Sequence, residues 1–381
     1  MAFTVTSRLP EIGTSIFAVM SKMAVEHGAI NLSQGFPDFP VDGALIDLIH
    51  EKMRAGHNQY APMPGVPALR QAIAGVIADT YQNSIDAETE VTITAGATEA
   101  LFATISALVG PGSEVIFFEP AYDCYSPAIR LNGAIPVPIE LAPPFRIDWQ
   151  EVERKISPAT RVIIINTPHN PAGVVLHPED VRELERLALI YGLVVISDEV
   201  YERLIFDGQS HESVLKYPAL AAQSVAVFSF GKTFHATGWK IGYTVAPAAL
   251  TAEIRKAHQF ITFSVNTPVQ WALAEYLRQP EHYLGLGAFY QRKRDFFLDQ
   301  IKGSSFEALP CQGSYFQLLS YQHISKKPDV EMATWLTQTQ KVAAIPVSVF
   351  NTRPTNHFLL RFCFAKSEET LARAGEILRK L

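Results

Sequence analysis

The amino-acid sequence predicts an α/β fold: a large domain with a mainly parallel sheet between helices, and a smaller α+β domain. From about residue 42 to 229, short β-branched apolar runs alternate with stretches whose apolar residues recur at helical spacing. Such alternation is typical of crossover units, which build a parallel sheet covered by helices on both faces. After about residue 285 the alternation ends, and a helix and several separate apolar runs follow.

The predicted elements follow one another along the chain. Helices are expected at 42–55, 67–81, 99–108 and 178–191, and strands at 91–94, 114–118, 161–166, 193–197 and 224–229. Beyond them we expect a helix at 290–301, apolar runs at 314–319, 342–345 and 358–364, and a last helix at 368–378. We therefore assign residues 36–284 to the large domain, and residues 1–35 and 285–381 to the small one.

Composition and charge narrow the class of protein. The chain has 381 residues, of which 48% are apolar and 18% charged, so it has ample material for a buried core. A net charge of -6 without a long basic run argues against nucleic acid as a partner. No apolar run approaches the length of a membrane span, residues 1–13 lack a signal-peptide pattern, and the cysteines are isolated. We expect a cytoplasmic protein without a metal site, since no ligand spacing indicates one.

Polar residues follow three of the predicted strands. Asn170 comes after the strand at 161–166, Asp198 directly after that at 193–197, and Lys232 after that at 224–229. Ligands of open parallel sheets bind at the carboxyl ends of the strands. We therefore expect these side chains to converge at one edge of the sheet.

Lys232 lies in the segment 229–242, Ser-Phe-Gly-Lys-Thr-Phe-His-Ala-Thr-Gly-Trp-Lys-Ile-Gly. A lysine after a strand is most often a solvated surface group. A phosphate-binding loop of the Gly-x-x-x-x-Gly-Lys type is excluded, because Ala226 stands where its first glycine is required. A lysine that forms imines needs a pKa lowered by burial or by a nearby cation, and here aromatic residues and Lys240 surround it in the sequence.

Asp198 ends a predicted buried strand. An aspartate in this position more often caps a loop or helix. A buried carboxylate also pairs with a protonated pyridine nitrogen, which keeps such a ring cationic and able to accept electrons. Tyr201, three residues later, would reach the same ligand.

Two turn segments supply further candidates. Residues 166–173, Asn-Thr-Pro-His-Asn-Pro-Ala-Gly, are typical of a rigid turn, and such a turn also fixes the Asn170 amide beside a ligand. Residues 94–100, Thr-Ala-Gly-Ala-Thr-Glu-Ala, place small residues between a strand and a helix. They serve either ordinary packing or a phosphate site, where free backbone N–H groups meet the positive end of the helix.

Together and in this order, the motifs resemble those of the fold-type-I, class I and II aminotransferases, which depend on pyridoxal 5′-phosphate (PLP). The resemblance covers essentially the whole chain, including the segment 31–40, Asn-Leu-Ser-Gln-Gly-Phe-Pro-Asp-Phe-Pro, and the segment 361–365, Arg-Phe-Cys-Phe-Ala. The segments that place it closest to the kynurenine and methionine aminotransferase group, and to bacterial methionine aminotransferases, are 34–37, 58–60, 119–125 and 238–240.

The resemblance implies roles around the cofactor ring. Lys232 would hold the cofactor as a Schiff base and, once freed, serve as general base and acid. Asp198 would bind the pyridinium nitrogen, while Asn170 and Tyr201 would bind the ring hydroxyl. Tyr122, where the group often has phenylalanine, would stack on the ring.

The resemblance also implies the phosphate and substrate sites. The phosphate ligands would be the backbone N–H groups of Ala97 and Thr98, the Ser229 hydroxyl, Lys240 and the Tyr60 hydroxyl of a neighbouring subunit. Much of the family has arginine in place of Lys240, and lysine keeps the charge but loses the bidentate fork. Arg361 would bind the substrate α-carboxylate, assisted by Asn170 and the Gly35 backbone. The side-chain pocket would be formed by Ile16 and Phe17, with Tyr60 and Phe263 from the partner of a homodimer.

Because this pocket would be apolar and aromatic, we expect transfer of the amino group from methionine or aromatic amino acids to a 2-oxo acid by a ping-pong mechanism. One methylene changes affinity by only about 1–3 kcal/mol, so the substrate range is expected to be broad. No arginine is evident for a distal carboxylate, which makes aspartate a poor candidate.

Four alternative functions differ in how well they fit the sequence. A kynurenine–oxoglutarate transaminase or a cysteine-S-conjugate β-lyase would use the same residues, so the motifs do not separate them. A PLP-sensing transcription regulator would carry a DNA-binding domain before the motifs, which here begin near residue 31. A dinucleotide-dependent enzyme is disfavoured because the chain has no Gly-x-Gly-x-x-Gly segment.

Overall fold

The computed structural model describes residues 5–381, so residues 1–4 of the predicted segment 1–35 lie outside it. The α-helices, α1 to α15 in chain order, are Ile16–Glu26, Gly43–Arg54, Pro67–Tyr81, Gly96–Leu108, Tyr125–Leu131, Trp149–Lys155, Pro178–Tyr191, Pro218–Ala221, Phe230–Thr233, Ala248–Ile261, Thr267–Tyr276, Glu281–Leu284, Leu286–Gln300, Asp329–Trp335 and Glu368–Leu378. The strands, β1 to β13, are Ile30–Asn31, Val91–Thr94, Glu114–Glu119, Ile135–Glu140, Thr160–Asn166, Val194–Asp198, Ser224–Ser229, Gly242–Val245, Glu307–Ala308, Phe316–Ser320, Val342–Ala343, Ile345–Pro346 and Leu359–Cys363. No helix in the described part of the chain combines the length and the hydropathy that a membrane crossing requires.

The main sheet has seven strands in the order β2-β8-β7-β6-β5-β3-β4. Strand β8 runs antiparallel to its neighbours β2 and β7, and the other pairs are parallel. Successive side chains of a strand point to opposite faces. Accordingly, Val162 and Ile164 of β5 pack into one buried apolar cluster, and Ile163 and Ile165 pack into another. The predicted parallel sheet with two covered faces is confirmed.

A second sheet, in the order β12-β13-β10-β9, is antiparallel and lies in the C-terminal part of the chain. The N-terminal segment reaches the same part of the molecule, because Ile30 and Asn31 of β1 pair in parallel with β11. Helices α13 and α15 pack against one another. The division into domains at 36–284 and at 1–35 with 285–381 stays a prediction.

The predicted elements and the structure differ in several places. Helix α4 begins at Gly96 rather than at residue 99. The prediction missed the first turn because its residues are small and do not show the helical spacing of large apolar side chains. The apolar run 342–345 is divided between β11 and β12, which pair with strands of different sheets. A run of four residues does not show which partner each residue will take. Strand β8 has no counterpart among the predicted strands; it is short and antiparallel.

Candidate active site

The carboxyl ends of β5, β6 and β7 open into a cavity of about 270 Å³. Asn170, Asp198 and Lys232 all lie on its wall, as the sequence predicts for residues that follow these strands. The other predicted residues on this wall are Phe17, Gly35, Ala97, Thr98, Tyr122, Tyr201, Ser229, Lys240 and Arg361. The topology thus brings together residues from both ends of the chain.

Lys232 lies in the short helix α9, directly after β7, and its side chain faces the cavity. Its Nζ donates a hydrogen bond to the Tyr315 hydroxyl at 3.0 Å and lies 5.8 Å from the centre of the Tyr201 ring. Burial is the main cause that lowers the pKa of Lys232 to about 8, and the cations of Lys240 and Arg361 act in the same direction. A far larger fraction of this amine than of an ordinary lysine is therefore uncharged near neutral pH, as a nucleophile or base requires.

Asp198 is the last residue of β6, and its carboxyl group is buried. It accepts a hydrogen bond of 2.6 Å from the Tyr125 hydroxyl and a longer one, 3.4 Å, from the Val200 N–H. Burial raises the pKa of Asp198 to about 6, although the two hydrogen bonds oppose the change. A cationic ring in the cavity would stabilise the ionised form of this carboxylate.

Asn170 is held by a neighbouring asparagine. The Asn170 N–H donates to Asn166 Oδ1 at 2.8 Å, and Asn166 Nδ2 donates to the Asp198 carbonyl at 2.9 Å. The peptide bonds before Pro168 and Pro171 are both cis. The turn predicted at 166–173 therefore fixes an amide group against the cavity.

Arg361, in β13, is almost completely buried. Its two terminal nitrogens donate to Asn170 Oδ1 at 2.8 Å and to the Ser33 carbonyl at 3.0 Å, while its Nε has no partner among residues 5–381. The guanidinium lies 3.9 Å from the centre of the Phe316 ring, and burial lowers its pKa to about 10. A buried cation with an unpaired N–H is suited to bind a carboxylate.

The opposite end of the cavity is formed by the N-terminus of α4. The first N–H groups of a helix have no carbonyl partner within it, so those of Ala97 and Thr98 are available to an anion. A Cβ atom built on Gly96, whose φ is +78°, would lie 3.4 Å from Lys240 Nζ, which shows how near this ammonium group comes to the helix end. Donors and positive charge together are suited to a phosphate group.

The remaining wall residues complete this end of the cavity. The Tyr122 hydroxyl lies 3.1 Å from Thr98 Oγ1, and Ser229 ends β7 beside Lys232. Burial raises the pKa of both Tyr122 and Tyr201. Both phenols therefore stay protonated at neutral pH and are able to donate a hydrogen bond.

Three residues predicted for the site lie elsewhere in the single chain. Ile16, the first residue of α1, packs against the apolar core of the C-terminal part and is not on the cavity wall. Tyr60 and Phe263 are 82% and 45% exposed, and their rings contact one another at 5.5 Å. The neighbouring Phe17 does line the cavity, 5.2 Å from the Arg361 guanidinium.

The structure also adds residues to which the sequence had assigned no role. Tyr315 contacts Lys232, Tyr125 contacts Asp198, and Asn166 holds Asn170. Tyr315 stands in the predicted apolar run 314–319, and this position is the one signal that could have indicated it. His235 is not on the cavity wall; its Nδ1 is 2.9 Å from the Tyr290 hydroxyl.

Comparisons with known proteins agree with this geometry. Residues 27–378 match the family described as aminotransferase class I and II. The chain is 53% identical to methionine aminotransferase of Escherichia coli over 98% of each chain. It is also 33% identical to human kynurenine–oxoglutarate transaminase 3, over 100% of this chain and 90% of that protein.

Solved structures give the same result. The crystal structure of YbdL from Escherichia coli, which identified a methionine aminotransferase function, superposes with a TM-score of 0.98 at 52% identity and covers 100% of both chains. Aspartate aminotransferase from Thermus thermophilus with maleate superposes with a TM-score of 0.90 at 28% identity, again over 100% of both chains.

Proposed function

The chain belongs to the class I and II aminotransferases, which use PLP, and from this premise we propose that it transfers the amino group of methionine and of aromatic amino acids to a 2-oxo acid. One observation supports the proposed class of substrate. Arg361 is the one arginine on the cavity wall in the described part of the chain, and phenylalanines 17 and 316 lie beside it. A substrate would thus find one cation for its α-carboxylate and an apolar surface for its side chain.

The residues of the cavity fit the cofactor. Lys232, with its lowered pKa, is suited to bond covalently to an aldehyde, and the buried Asp198 is suited to pair with a pyridinium nitrogen. The first turn of α4, Ser229 and Lys240 would hold the phosphate. Tyr122 would stack on the ring, and Asn170 and Tyr201 would bind its hydroxyl group. When bound, PLP supplies an electron-accepting ring that stabilises the negative charge left on the substrate Cα.

Lys232 is proposed as the group that moves the proton. Its amine takes the proton from the substrate Cα and returns one later in the reaction. A pKa of about 8 suits both directions, because the amine gives and takes a proton with little free-energy change near neutral pH.

Arg361 is proposed to bind the α-carboxylate through its unpaired Nε and a terminal nitrogen. Asn170 Oδ1 holds the guanidinium in place at 2.8 Å, and the Ser33 carbonyl holds it from the other side at 3.0 Å. The carboxylate, fixed at this end, would place the Cα toward Lys232. The Gly35 backbone, which also lines the cavity, would assist.

A homodimer is proposed from the exposed aromatic residues. Tyr60, Phe260 and Phe263 are large and exposed, and Tyr60 and Phe263 contact one another. Exposed apolar patches of this kind mark association surfaces. In such a dimer, Tyr60 would reach the phosphate of the partner subunit and Phe263 would extend its side-chain pocket.

The absorption spectrum of the purified holoenzyme tests the substrate class. Methionine, added without an oxo acid, is expected to convert the band of the lysine-bound cofactor into that of the pyridoxamine form, and an added 2-oxo acid should reverse this. Aspartate should react at least about tenfold more slowly, because within residues 5–381 no second arginine lies on the wall to meet its distal carboxylate. An aspartate rate far above the methionine rate would contradict the proposal. Pyruvate and ammonia released from a cysteine conjugate, with no pyridoxamine form, would indicate the lyase instead.

A further inference from the structure

Tyr315 connects the proposed base to the proposed substrate site. It lies directly before β10 and is completely buried. Its hydroxyl donates to the Gly35 carbonyl at 2.5 Å and accepts from Lys232 Nζ at 3.0 Å. One phenol thus contacts both the lysine and the backbone that would lie next to the substrate.

The direction of these hydrogen bonds is determined by chemistry. A carbonyl oxygen only accepts, so the single hydroxyl proton of Tyr315 is committed to Gly35. Toward Lys232 the phenol presents only oxygen lone pairs, so the lysine must donate. An uncharged amine has two N–H groups and one lone pair. Once one N–H is held by Tyr315, rotation about the Cε–Nζ bond is restricted.

The acceptor itself is held rigidly. The Tyr315 ring packs edge-on against Tyr201 at 5.1 Å and against Phe316 at 4.8 Å. A Cβ atom on Gly35 would lie 2.7 Å from Phe316 Cζ, so the close approach of this backbone requires glycine. The phenol oxygen therefore has little freedom to follow a moving amine.

We propose that Tyr315 is a positioning residue, which holds the Lys232 amine, once it is free of the cofactor, with its lone pair directed into the cavity. The inference rests on the proposed role of Lys232 as the base. The same hydrogen bond stabilises the ammonium form more than the amine, since an ion forms the stronger bond. Removal of the hydroxyl therefore lowers the pKa of Lys232 further and leaves the amine less well oriented.

The test compares Tyr315→Phe with Tyr290→Phe. Phenylalanine keeps the ring at 315 and removes only the hydroxyl. Tyr290 is a matched control, because it is also buried and its hydroxyl is bonded to His235 rather than to Lys232. In cofactor-free protein, competitive acetylation of Lys232 with acetic anhydride across pH, read by mass spectrometry, reports the pKa of the amine. It should fall by up to about one pH unit in Y315F and stay unchanged in Y290F.

Single-turnover rates of the holoenzyme give the second measurement. In Y315F, the rate at which a saturating amino acid converts the lysine-bound cofactor into the pyridoxamine form should fall about tenfold. The amino acid concentration that gives half of the maximal rate should stay within about twofold of the parent value. The acid limb of its pH profile should move to lower pH. An unchanged pKa of Lys232 together with an unchanged rate, or equal changes in Y290F, would overturn the proposal.

A second variant and the independence of the acetylation from any amino donor allow the role of Tyr315 to be tested in every case. If Y315F does not fold, 3-fluorotyrosine at position 315 weakens the phenol as an acceptor and should shift the pKa of Lys232 in the same direction by less. An unshifted pKa would then refute the role of Tyr315. The acetylation needs no amino donor, so a parent enzyme that ignores methionine would refute the proposed substrate and still leave Tyr315 tested.

Discussion

The buried carboxyl group of Asp198, which is proposed to pair with the cofactor ring, lowers the stability of the folded protein when it is ionised. Burial disfavours the ionised form, so the pKa of Asp198 rises from 3.8 to about 6. The folded chain therefore holds this proton more tightly than the unfolded chain does. As pH rises from about 4 to 6, the stability contributed by the protonated form is lost, and above pH 6 the full cost of the buried charge remains.

Asp198→Asn is expected to stabilise the cofactor-free protein at pH 7.5 by up to about 3 kcal/mol, since each pKa unit corresponds to about 1.4 kcal/mol. At pH 4 the two proteins should be equally stable. Urea unfolding at both pH values measures the difference, and the exposed Asp79→Asn serves as control. A variant no more stable than the parent at pH 7.5 would show that Asp198 carries no such cost. The holoenzyme should lose most of its activity.

The sequence predicted those site residues that belong to local motifs. Lys232, Asp198 and Asn170 each follow a strand, and the resemblance to the aminotransferases added Arg361. Tyr125 and Tyr315 were assigned no role from the sequence, because their partners are 73 and 83 positions away in the sequence. Such contacts exist only after the chain has folded, and an aromatic residue in an apolar segment otherwise indicates packing.

At the scale of elements, the junction of α4 with β8 forms the proposed phosphate site. A Cβ atom on Gly242 would lie 2.6 Å from the Phe228 carbonyl and 2.9 Å from the Ala97 nitrogen. Strand β8 therefore approaches the first turn of α4 more closely than a side chain would permit. This contact sets the position of the helix end relative to Lys240.

Gly242→Ala should displace the first turn of α4 and lower stability by about 1–3 kcal/mol. We expect the dissociation constant of PLP to rise at least about tenfold, which corresponds to about 1.4 kcal/mol. Fluorescence titration of cofactor-free protein measures it. Gly238→Ala is the matched control, because a Cβ atom there would have no atom of the described residues within 4 Å. Equal affinity in the two variants would exclude this role for the junction.

Several elements could be predicted because the spacing of apolar residues indicates which face of a helix or strand is buried. The strands at β2 and β7 have the predicted bounds, and so do α3 and α7. Some of the errors arose where pairing with another strand, rather than burial, defines the element. The division of 342–345 between two sheets, and the antiparallel β8, depend on distant partners.

At the scale of the whole molecule, the exposed aromatic residues predict the state of association. Phe260 is 85% exposed at the end of α10, close in sequence to Phe263. If the protein is a homodimer through this surface, a charge there would be buried without a partner. The proposed site would then also lose the contributions of Tyr60 and Phe263.

Phe260→Asp is expected to give a monomer with little activity, and sedimentation velocity measures its mass. Leu189→Asp is the control, because Leu189 is 52% exposed on α7, in a different part of the sequence. It should leave both mass and activity unchanged. A dimeric F260D, or a parent protein that sediments as a monomer, would contradict the proposed interface.

The order of the large sheet could be anticipated only in outline. Alternating strands and helices predict parallel strands, but the order β2-β8-β7-β6-β5-β3-β4 depends on long-range pairing. Residues 1–35 were assigned to the small domain from the change of pattern along the sequence, and this division stays a prediction; the pairing of β1 with β11 was not predicted.

The hydrogen bond from Arg361 to the Ser33 carbonyl joins positions 328 residues apart. While the protein is being synthesised, Ser33 emerges from the ribosome long before Arg361 exists. The residues that would hold the cofactor, which end at Lys240, are complete much earlier. The proposed cofactor site can therefore form before translation ends, whereas the proposed site for the substrate carboxylate can form only after the last part of the chain has been synthesised.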